Sequence, residues 1–341
     1  GLVVTASHNP VEWNGVKPLR HDGVAPPPAE AQQIIDAFRG AGGDLPLADA
    51  LSLHPVTSDD TTPRVHADRV LPHVDAEAIR RAGTRIVVDN VAGAGGAETR
   101  ELLDRLGVTA DRLNHLDPEP TGLFPHPPEP TEENLRGLGE KVRAFGAAVG
   151  FAQDPDADRL ALVDETGRYI GEEYTLALCA HHLLRKGDVA VANLSTSRML
   201  DDIAARCGAR VVRTAVGEAN VAQGMRTHGA RFGGEGNGGV ILAALAHVRD
   251  SLIGIALILE LLAESGKTLS ALVAELPSYA IVKSKLPFDP ALLRGLEAAL
   301  RDAFGKEARY DTQDGVRVDF ADRWVHVRPS NTEPIVRVIA E

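Results

Sequence analysis

Residues 147–163 read AAVGFAQDPDADRLALV, two apolar runs on either side of a segment rich in aspartate. Apolar residues on both sides of Asp154–Arg159 are typical of short buried strands, and the segment between them is a tight polar turn. Leu160–Val163 and Tyr169-Ile170 flank a Glu-Thr-Gly turn and predict a hairpin. The stretch therefore predicts a strand that leads into a carboxylate-rich loop and then into a second strand.

The alternation of strand, glycine-rich turn and helix recurs along the chain. Arg85–Asp89 predicts a buried strand, Gly93–Gly96 a turn, and the leucines that follow an amphipathic helix ending at Gly107. A long apolar helix is predicted at about Leu252–Leu262. This rhythm is typical of α/β architecture.

The last part of the chain has a different pattern. Phe288–Phe304 predicts a helix, and strands are predicted at Val316–Phe320, Trp324–Val327 and Ile335–Ile339. A helix followed by consecutive strands indicates an α+β domain.

Length and composition limit the function classes. A chain of 341 residues suggests about two to three domains. The net charge of −12 argues against a nucleic-acid or anionic-membrane partner. The longest apolar run is shorter than the roughly 20 residues that span a bilayer. Cys179 and Cys207 lack metal-type spacing and read as reduced thiols of a cytoplasmic protein.

The first residues, Gly1-Leu2-Val3-Val4, read as a strand already under way and lack an initiator Met. We expect that an N-terminal segment is missing from this chain.

Asp154, Asp156 and Asp158 place three hard oxygen ligands at alternate positions of one loop, which indicates a Mg²⁺ site. An EF-hand would need glycine at its sixth position, where Arg159 stands, and helical flanks. A solvated acidic loop is the other interpretation, although crowded carboxylates repel one another without a cation. Arg159 is expected to meet a phosphate oxygen rather than a ligand carboxylate.

The segment Thr5–Pro10 follows a strand and contains Ser7, and Lys17 follows an Asn-Gly turn. A serine in such a loop can carry a phosphoryl group, and a lysine suits proton transfer. An ordinary turn with a surface lysine remains the alternative.

Two later loops suggest a sugar phosphate. Gly233–Gly239 places Glu235 and Asn237 between glycines, which lets the backbone approach a ligand; a flexible loop is the alternative. Arg328–Pro334 gathers a guanidinium, two hydroxyls and an amide, as a phosphate site requires. Ser330 and Glu333 also fit a capping box, but the strand pattern that follows leaves no helix to cap.

Two further patterns do not support a binding site. Gly93–Gly96 lacks the last glycine of a dinucleotide fingerprint, because Glu98 stands there. The adjacent pair His181-His182 faces two directions of a helix and does not form a metal pair.

Together and in this order, the four motifs around Ser7, Asp154, Glu235 and Arg328 resemble the α-D-phosphohexomutase superfamily. The resemblance covers the chain from Thr5 to Pro334. It implies α/β architecture: tandem related α/β domains with mixed sheets around a central cleft, plus a smaller C-terminal α+β domain. The implied domains are residues 1–60 (the C-terminal part of domain I), 61–171, 172–278 and 279–341.

The resemblance also implies the roles of individual residues. The catalytic set is Ser7 as phosphoserine, His8, Lys17 as general acid/base, and Arg159. The metal set is Ser7, Asp154, Asp156 and Asp158, with Mg²⁺ as cofactor. The substrate-binding set is Thr214, Gly217, Glu235, Asn237, Arg328, Ser330, Asn331 and Thr332.

The implied reaction interconverts a hexose 1-phosphate and a hexose 6-phosphate through a hexose 1,6-bisphosphate, which also serves as activator. The partner is a small-molecule sugar phosphate, and the chain is a monomer or a homodimer. Asn237 and Gly239 replace the serine and histidine that many bacterial members have, which resembles the archaeal-type phosphoglucosamine mutase or phosphomannomutase branch. Phosphoglucosamine mutase activity is the expectation. Phosphomannomutase or phosphoglucomutase activity is the alternative, as is an inactive sugar-phosphate-binding fragment.

An aspartyl-phosphate phosphatase also uses clustered aspartates, but it would need an aspartate nucleophile after the first strand. Ser7 stands in that motif instead.

Overall fold

The computed structural model describes residues 1–40, 49, 52–287, 294–330 and 335–341. The chain forms two compact units. The first contains residues 1–171 and 250–269, and the second contains residues 172–249 and 270–341.

The first unit begins with a small antiparallel pair of strands. Strands β1 (Leu2–Val4) and β2 (Val16–Pro18) pair so that Val3 lies opposite Lys17. Helix α1 spans Pro28–Gly40.

The rest of the first unit is a four-stranded sheet with helices. Its helices and strands are α2 (Thr62–Val70), α3 (Ala76–Ala82), β3 (Ile86–Asp89), α4 (Gly96–Arg105), β4 (Leu113–Leu116), α5 (Arg136–Phe145), β5 (Val149–Gln153), β6 (Leu160–Asp164) and α9 (Ser251–Ser265). Strand β3 pairs in parallel with β4 and β5, and β6 runs antiparallel to β5. Both β3 and β5 are buried along their whole length, as continuous apolar runs in parallel sheets require.

Helix α9 packs against α2, α3 and α4 of the first unit. It is apolar on all sides and buried from Ser251 to Leu262, so the apolar pattern predicted its burial but not its neighbours. It lies in the sequence interval 172–278, which the resemblance assigned to the third domain. Asp250 caps the helix by accepting hydrogen bonds from the Leu252 and Ile253 amides at 2.9 and 3.1 Å.

The second unit contains a four-stranded sheet with the same connectivity as that of the first. Its elements are α6 (Glu172–Leu183), β7 (Val189–Asn193), α7 (Met199–Cys207), β8 (Arg210–Thr214), α8 (Glu218–His228), β9 (Phe232–Glu235), β10 (Gly239–Leu242) and α10 (Leu269–Glu275). In both sheets the first strand lies between the second and third in parallel, and the fourth is antiparallel to the third. The prediction of tandem related α/β domains with mixed sheets is confirmed.

The shared connectivity places two loops at equivalent positions. The aspartate loop joins the third and fourth strands of the first sheet, and the loop after Glu235 joins the third and fourth strands of the second.

The C-terminal part of the second unit is an antiparallel sheet. It consists of β11 (Val282–Pro287), α11 (Leu296–Phe304), β12 (Arg309–Asp311), β13 (Val316–Asp319), β14 (Trp324–Pro329) and β15 (Ile335–Ala340), with strand order β11-β15-β14-β13-β12. The α+β prediction is confirmed. The helix expected over Phe288–Phe304 is described from Leu296, and residues 288–293 lie outside the described residues.

Among the residues that the model describes, no helix combines the length and apolarity needed to cross a bilayer.

Candidate active site

Three carboxylates converge on the loop between β5 and β6. One oxygen each of Asp154, Asp156 and Asp158 lies within 4.8 Å of the others. Asp154 is completely buried, and it accepts hydrogen bonds from the amides of Asp158 and Arg159 at 3.1 Å. Ala157 has a φ of +56°, a left-handed conformation that closes the loop at a cost in strain.

The electrostatics of this loop favour a cation. Burial, followed by repulsion from Asp158 and Asp156, raises the pKa of Asp154 well above its ordinary value. The Asp156 Oδ1 atom is buried and has no hydrogen-bond partner. A divalent cation would neutralise the cluster and occupy the free oxygen, so these residues fit Mg²⁺. Within the described part of the chain, this is the one cluster of three or more Asp, Glu, His or Cys side chains that could hold a metal ion.

Ser7 lies against the aspartate loop although 147 residues separate it from Asp154. Its Oγ donates to Asp154 Oδ2 at 3.3 Å. Its amide donates to Thr5 Oγ1 at 2.9 Å, and that hydroxyl donates to Asp156 Oδ2 at 3.1 Å. Ser7 has a φ of +51°, which is uncommon outside glycine and asparagine and marks a strained loop of the kind found at functional sites.

The other predicted catalytic side chains surround the same point. The His8 Nδ1 atom lies 3.1 Å from Ser7 Oγ. Lys17 extends from β2, and its Nζ lies 3.8 Å from Asp158 Oδ2. The structure therefore brings Ser7, His8 and Lys17 to the three aspartates.

Arg159 also faces the aspartate loop. Its Nε lies 3.7 Å from Asp154 Oδ2 and 4.0 Å from Asp158 Oδ1, which is within ion-pair range but beyond hydrogen-bond distance. The Arg159 amide donates to Asp154 Oδ1 at 3.1 Å. The Nε atom is buried and has no hydrogen-bond partner.

Ser251 of helix α9 contacts the aspartate loop, and the sequence did not predict this contact. The Ser251 hydroxyl accepts from Gln153 Nε2 at 2.6 Å and donates to the Ala157 carbonyl at 2.6 Å. It thereby holds the strained residue of the aspartate loop. An Asp-Ser pair before an apolar run signals a helix start, but it gives no sign of which loop the serine contacts.

The proline-rich segment 118–130 also borders this site. His126 Nε2 lies 3.0 Å from Asp89 Oδ2, and its Nδ1 lies 2.9 Å from the Pro127 carbonyl. Both partners are acceptors, so the protonated ring can donate from both nitrogens. The bond to Asp89 is the main cause that raises the pKa of His126, and burial opposes it. Glu129 of the same segment lies 3.9 Å from His8 Nε2.

We predict that His126 stabilises the fold in a pH-dependent way. Its folded-state pKa lies above 6.5, so the stabilisation is fully present below that pH and is lost as the pH rises through the folded-state pKa. His126→Gln should lower the free energy of unfolding by about 1 kcal/mol at low pH and by much less at high pH. Urea denaturation of both proteins at pH 6 and pH 9 measures this difference. The exposed His21→Gln variant is the control, and a His126→Gln effect that does not change with pH would contradict the prediction.

In the second unit, Glu235 is held from three sides. Asn193 Nδ2 and the Gly217 amide donate to its Oε1 at 2.6 and 3.0 Å, and Arg249 Nη1 lies 3.1 Å from Oε2. Arg249 also binds Glu218 through its Nε at 3.1 Å. Asn193, Glu218 and Arg249 were not identified from the sequence, because each belongs to no motif and meets Glu235 only in the fold.

The loop after Glu235 rests on another buried acid. The carboxylate of Glu173 lies beneath Gly236, where a Cβ atom would be 2.2 Å from both of its oxygens. A larger residue at position 236 would have to displace this carboxylate. Burial raises the pKa of Glu173 to about 7. Asn237 accepts a bond from the Gly239 amide at 3.3 Å, and the Thr214 hydroxyl donates to the Ala215 carbonyl at 3.0 Å.

The predicted phosphate-binding residues lie at the end of β14. Arg328 is only 4% exposed; its Nε donates to Asp314 Oδ2 at 2.7 Å, while its Nη2 is buried and unbonded. The Ser330 amide donates to the Ile335 carbonyl at 2.8 Å, which ties the ends of the loop together. Asn331 and Thr332 lie outside the described residues.

Similarity to known proteins extends over the whole length of the chain. Four models of phosphoglucomutase/phosphomannomutase match in order: domain I at residues 1–42, domain II at 64–167, domain III at 172–279 and the C-terminal domain at 282–341. A Methanopyrus kandleri protein named "Probable phosphoglucosamine mutase" is 39% identical over 352 residues, covering 100% of this chain and 74% of the relative. The chain belongs to the α-D-phosphohexomutase superfamily.

Other phosphohexomutases support the same membership. A "Phosphoglucomutase/phosphomannomutase" of Thermococcus kodakarensis is also 39% identical, over 344 residues, with 100% of this chain and 74% of the relative covered. The crystal structure of a phosphoglucomutase/phosphomannomutase family protein from Burkholderia thailandensis matches with a TM-score of 0.82 and 28% identity, covering 100% of this chain and 71% of that chain. The chain is therefore a phosphohexomutase, an Mg²⁺-dependent isomerase that transfers a phosphoryl group within a sugar phosphate.

Proposed function

We propose that this chain interconverts glucosamine 1-phosphate and glucosamine 6-phosphate through a phosphoserine at Ser7. The observation that carries the proposal is the contact of Ser7 Oγ with buried Asp154, inside a loop of three converging carboxylates. A strained serine held at a cation-binding loop suits phosphoryl transfer better than any other described side chain.

The residues of the first unit would divide the chemistry among themselves. Asp154, Asp156 and Asp158 would hold Mg²⁺, which supplies neutralisation of the phosphoryl charge when bound. The O–P bond to Ser7 breaks as a bond forms between phosphorus and the free sugar hydroxyl, giving a hexose 1,6-bisphosphate. Lys17 would accept the proton of the attacking hydroxyl, and a proton would be returned to the departing Ser7 oxygen; His8 and Arg159 would orient and stabilise the oxygens around Ser7. In the second transfer, the other phosphate of the bisphosphate returns to Ser7.

The second unit supplies groups suited to the rest of the substrate. Glu235 and Asn237, with Thr214 and Gly217 of the neighbouring loop, would bind the hydroxyl groups of the sugar. The phosphate that is not being transferred would be bound by Arg328, Ser330, Asn331 and Thr332. Glu218 and Glu235 share Arg249 as counter-ion, and this excess of carboxylate over guanidinium favours the ammonium group of glucosamine over a neutral hydroxyl. The name of the Methanopyrus relative supports the same choice, whereas that of the Thermococcus relative supports glucose and mannose.

The test is coupled kinetics on the 1-phosphates of glucosamine, glucose and mannose, with Mg²⁺ and a trace of the matching 1,6-bisphosphate. We expect the highest kcat/KM for glucosamine. A higher value for glucose or mannose would replace the proposed hexose, and binding of all three without turnover would identify a sugar-phosphate-binding protein instead.

Arg328 provides a prediction about the phosphate end of the substrate. Each hydrogen bond between a guanidinium and a phosphate contributes about 1.5–3 kcal/mol. Arg328→Ala should therefore raise KM about tenfold or more and lower kcat as well, because the clamp also positions the sugar. The exposed Arg323→Ala variant of the same sheet is the control. If Arg328→Ala weakened unphosphorylated and phosphorylated sugars equally, Arg328 would be a structural residue.

A further inference from the structure

Asp314 lies in the turn between β12 and β13, directly beside Arg328. The next residue, Gly315, has a φ of +63°, and a Cβ atom there would lie 2.2 Å from the Val327 carbonyl oxygen and 2.7 Å from Arg328 Cα. Only glycine allows the turn to approach β14 this closely. The approach places the Asp314 carboxylate at the Arg328 guanidinium.

One oxygen of Asp314 accepts two hydrogen bonds from separate parts of the second unit. Arg328 Nε donates to Oδ2 at 2.7 Å, and the amide of Val216 donates to the same oxygen at 3.0 Å. The first of these bonds is charge-assisted at both ends, which makes it strong. Asp314 therefore joins the C-terminal sheet to the loop between β8 and α8.

That loop leads directly to the sugar-binding carboxylate. Next to Val216, the amide of Gly217 donates to Glu235 Oε1 at 3.0 Å. The side chain of Asn220 donates to the Val216 carbonyl at 3.0 Å and closes the loop. Arg328, Asp314, the Val216–Gly217 backbone and Glu235 thus form one continuous chain of hydrogen bonds.

The backbone of Asp314 is fixed as well. His326 Nε2 donates to the Asp314 carbonyl at 2.6 Å, and its Nδ1 accepts from the Ser195 hydroxyl at 2.9 Å. Burial lowers the pKa of His326, which keeps the ring neutral and compatible with one donor and one acceptor. The turn that carries Asp314 is therefore held through its backbone by His326 and through its carboxylate by Arg328 and Val216.

The bond to Asp314 also leaves part of the Arg328 guanidinium unused. It occupies Nε, whereas Nη2 is buried and has no hydrogen-bond partner among the described residues. A guanidinium presents two pairs of donors, and engagement of Nε leaves the pair formed by the two Nη groups for a bidentate contact with phosphate.

We propose that Asp314 is a positioning residue that aligns the phosphate-binding guanidinium of Arg328 with the hydroxyl-binding loop at Val216–Gly217. The two ends of one hexose phosphate are then bound in a fixed relation, which selects the length and orientation of the sugar. This inference rests on the proposed function, because it takes Arg328 and the loop as substrate-binding elements.

The first experiment compares Asp314→Ala with the control variant Asp311→Ala. Asp311 is a carboxylate on the neighbouring strand, and its described side-chain hydrogen bonds are all with Gln313. Asp314→Ala should raise KM for the hexose 6-phosphate about tenfold and lower kcat, while Asp311→Ala changes neither. Asp314→Asn retains an acceptor for Val216 but loses the charge, so its effect should be intermediate. Adding Asp314→Ala to Arg328→Ala should cost much less than the sum of the two single effects, because both remove the same alignment.

The second experiment needs no substrate turnover. Amide hydrogen exchange measured by mass spectrometry should be about tenfold or more faster for the peptide containing Val216 in Asp314→Ala, and unchanged in Asp311→Ala. Titration with inorganic phosphate should show weaker binding in Asp314→Ala alone. Faster exchange across the whole second unit would instead mean general destabilisation and would overturn the positioning role.

The outcomes separate this inference from the proposed function. If the wild type turns over hexose phosphates and Asp314→Ala behaves like Asp311→Ala, the inference fails and the function stands. If the wild type turns over none of the three hexose phosphates, the proposed function fails. In that case the amide exchange rate of the Val216 peptide and the affinity for inorganic phosphate still test the role of Asp314. Equal exchange rates and equal affinities in Asp314→Ala and Asp311→Ala would overturn that role.

Discussion

Ser7→Ala is expected to reduce mutase turnover by more than about a thousandfold while the fold is retained. Among the described contacts, the hydroxyls of Ser7 and Thr5 are the two that donate to carboxylates of the aspartate loop. Ser7 has a φ of +51°, and its Oγ points to Asp154. On the proposed function, removal of the Ser7 hydroxyl takes away the oxygen that carries the phosphoryl group.

The measurement is steady-state turnover of the hexose 1-phosphate that the wild type prefers, with thermal unfolding recorded on the same samples. The exposed Ser58→Ala variant is the control and should retain full activity. Residual activity of Ser7→Ala above a few per cent of the wild type would contradict the role of Ser7 as phosphoryl carrier.

Asp156→Asn is expected to weaken Mg²⁺ binding by roughly tenfold to a hundredfold and to lower the rate in parallel. One of three anionic ligands becomes neutral, while size and shape change little. Asp156 also accepts from Thr5, so the substitution weakens the contact of the serine loop with the metal loop. In the absence of metal the same change should raise stability, because it relieves repulsion with Asp154.

Isothermal titration with Mg²⁺ alone measures the affinity, and Asp104→Asn on the exposed face of α4 is the matched control. Unchanged Mg²⁺ affinity in Asp156→Asn would remove this residue from the metal site.

Much of the architecture follows from the sequence because its signals are local. The buried strands on both sides of Asp154–Arg159 are continuous apolar runs, and their ends are marked by the aspartates themselves. The motif at Ser7 and the loop at Glu235 are likewise contiguous in sequence, so the residues that resemble a known family could be named in advance.

The contacts that orient those residues were not predictable, because each joins distant segments through residues with no special pattern. Ser251 reads as a helix start and Asp314 as a turn residue, yet the first holds Ala157 and the second holds Arg328. Helix α9 is apolar on all sides, so its burial was evident while its position against α2, α3 and α4 depended on the complete fold. The fold-back of the loop at Arg159 likewise depends on a hydrogen bond from its amide to Asp154, which the loop sequence alone does not reveal.

The most direct test of the central claim is transfer of label to Ser7. The chain is incubated with Mg²⁺ and a hexose 1,6-bisphosphate carrying ³²P at both phosphates, and the modified residue is then located by peptide mass spectrometry. We expect one phosphoryl group per chain, located at Ser7, absent in Ser7→Ala and present in Ser58→Ala. Label on an aspartate, or no covalent label while turnover continues, would contradict a mutase that works through Ser7.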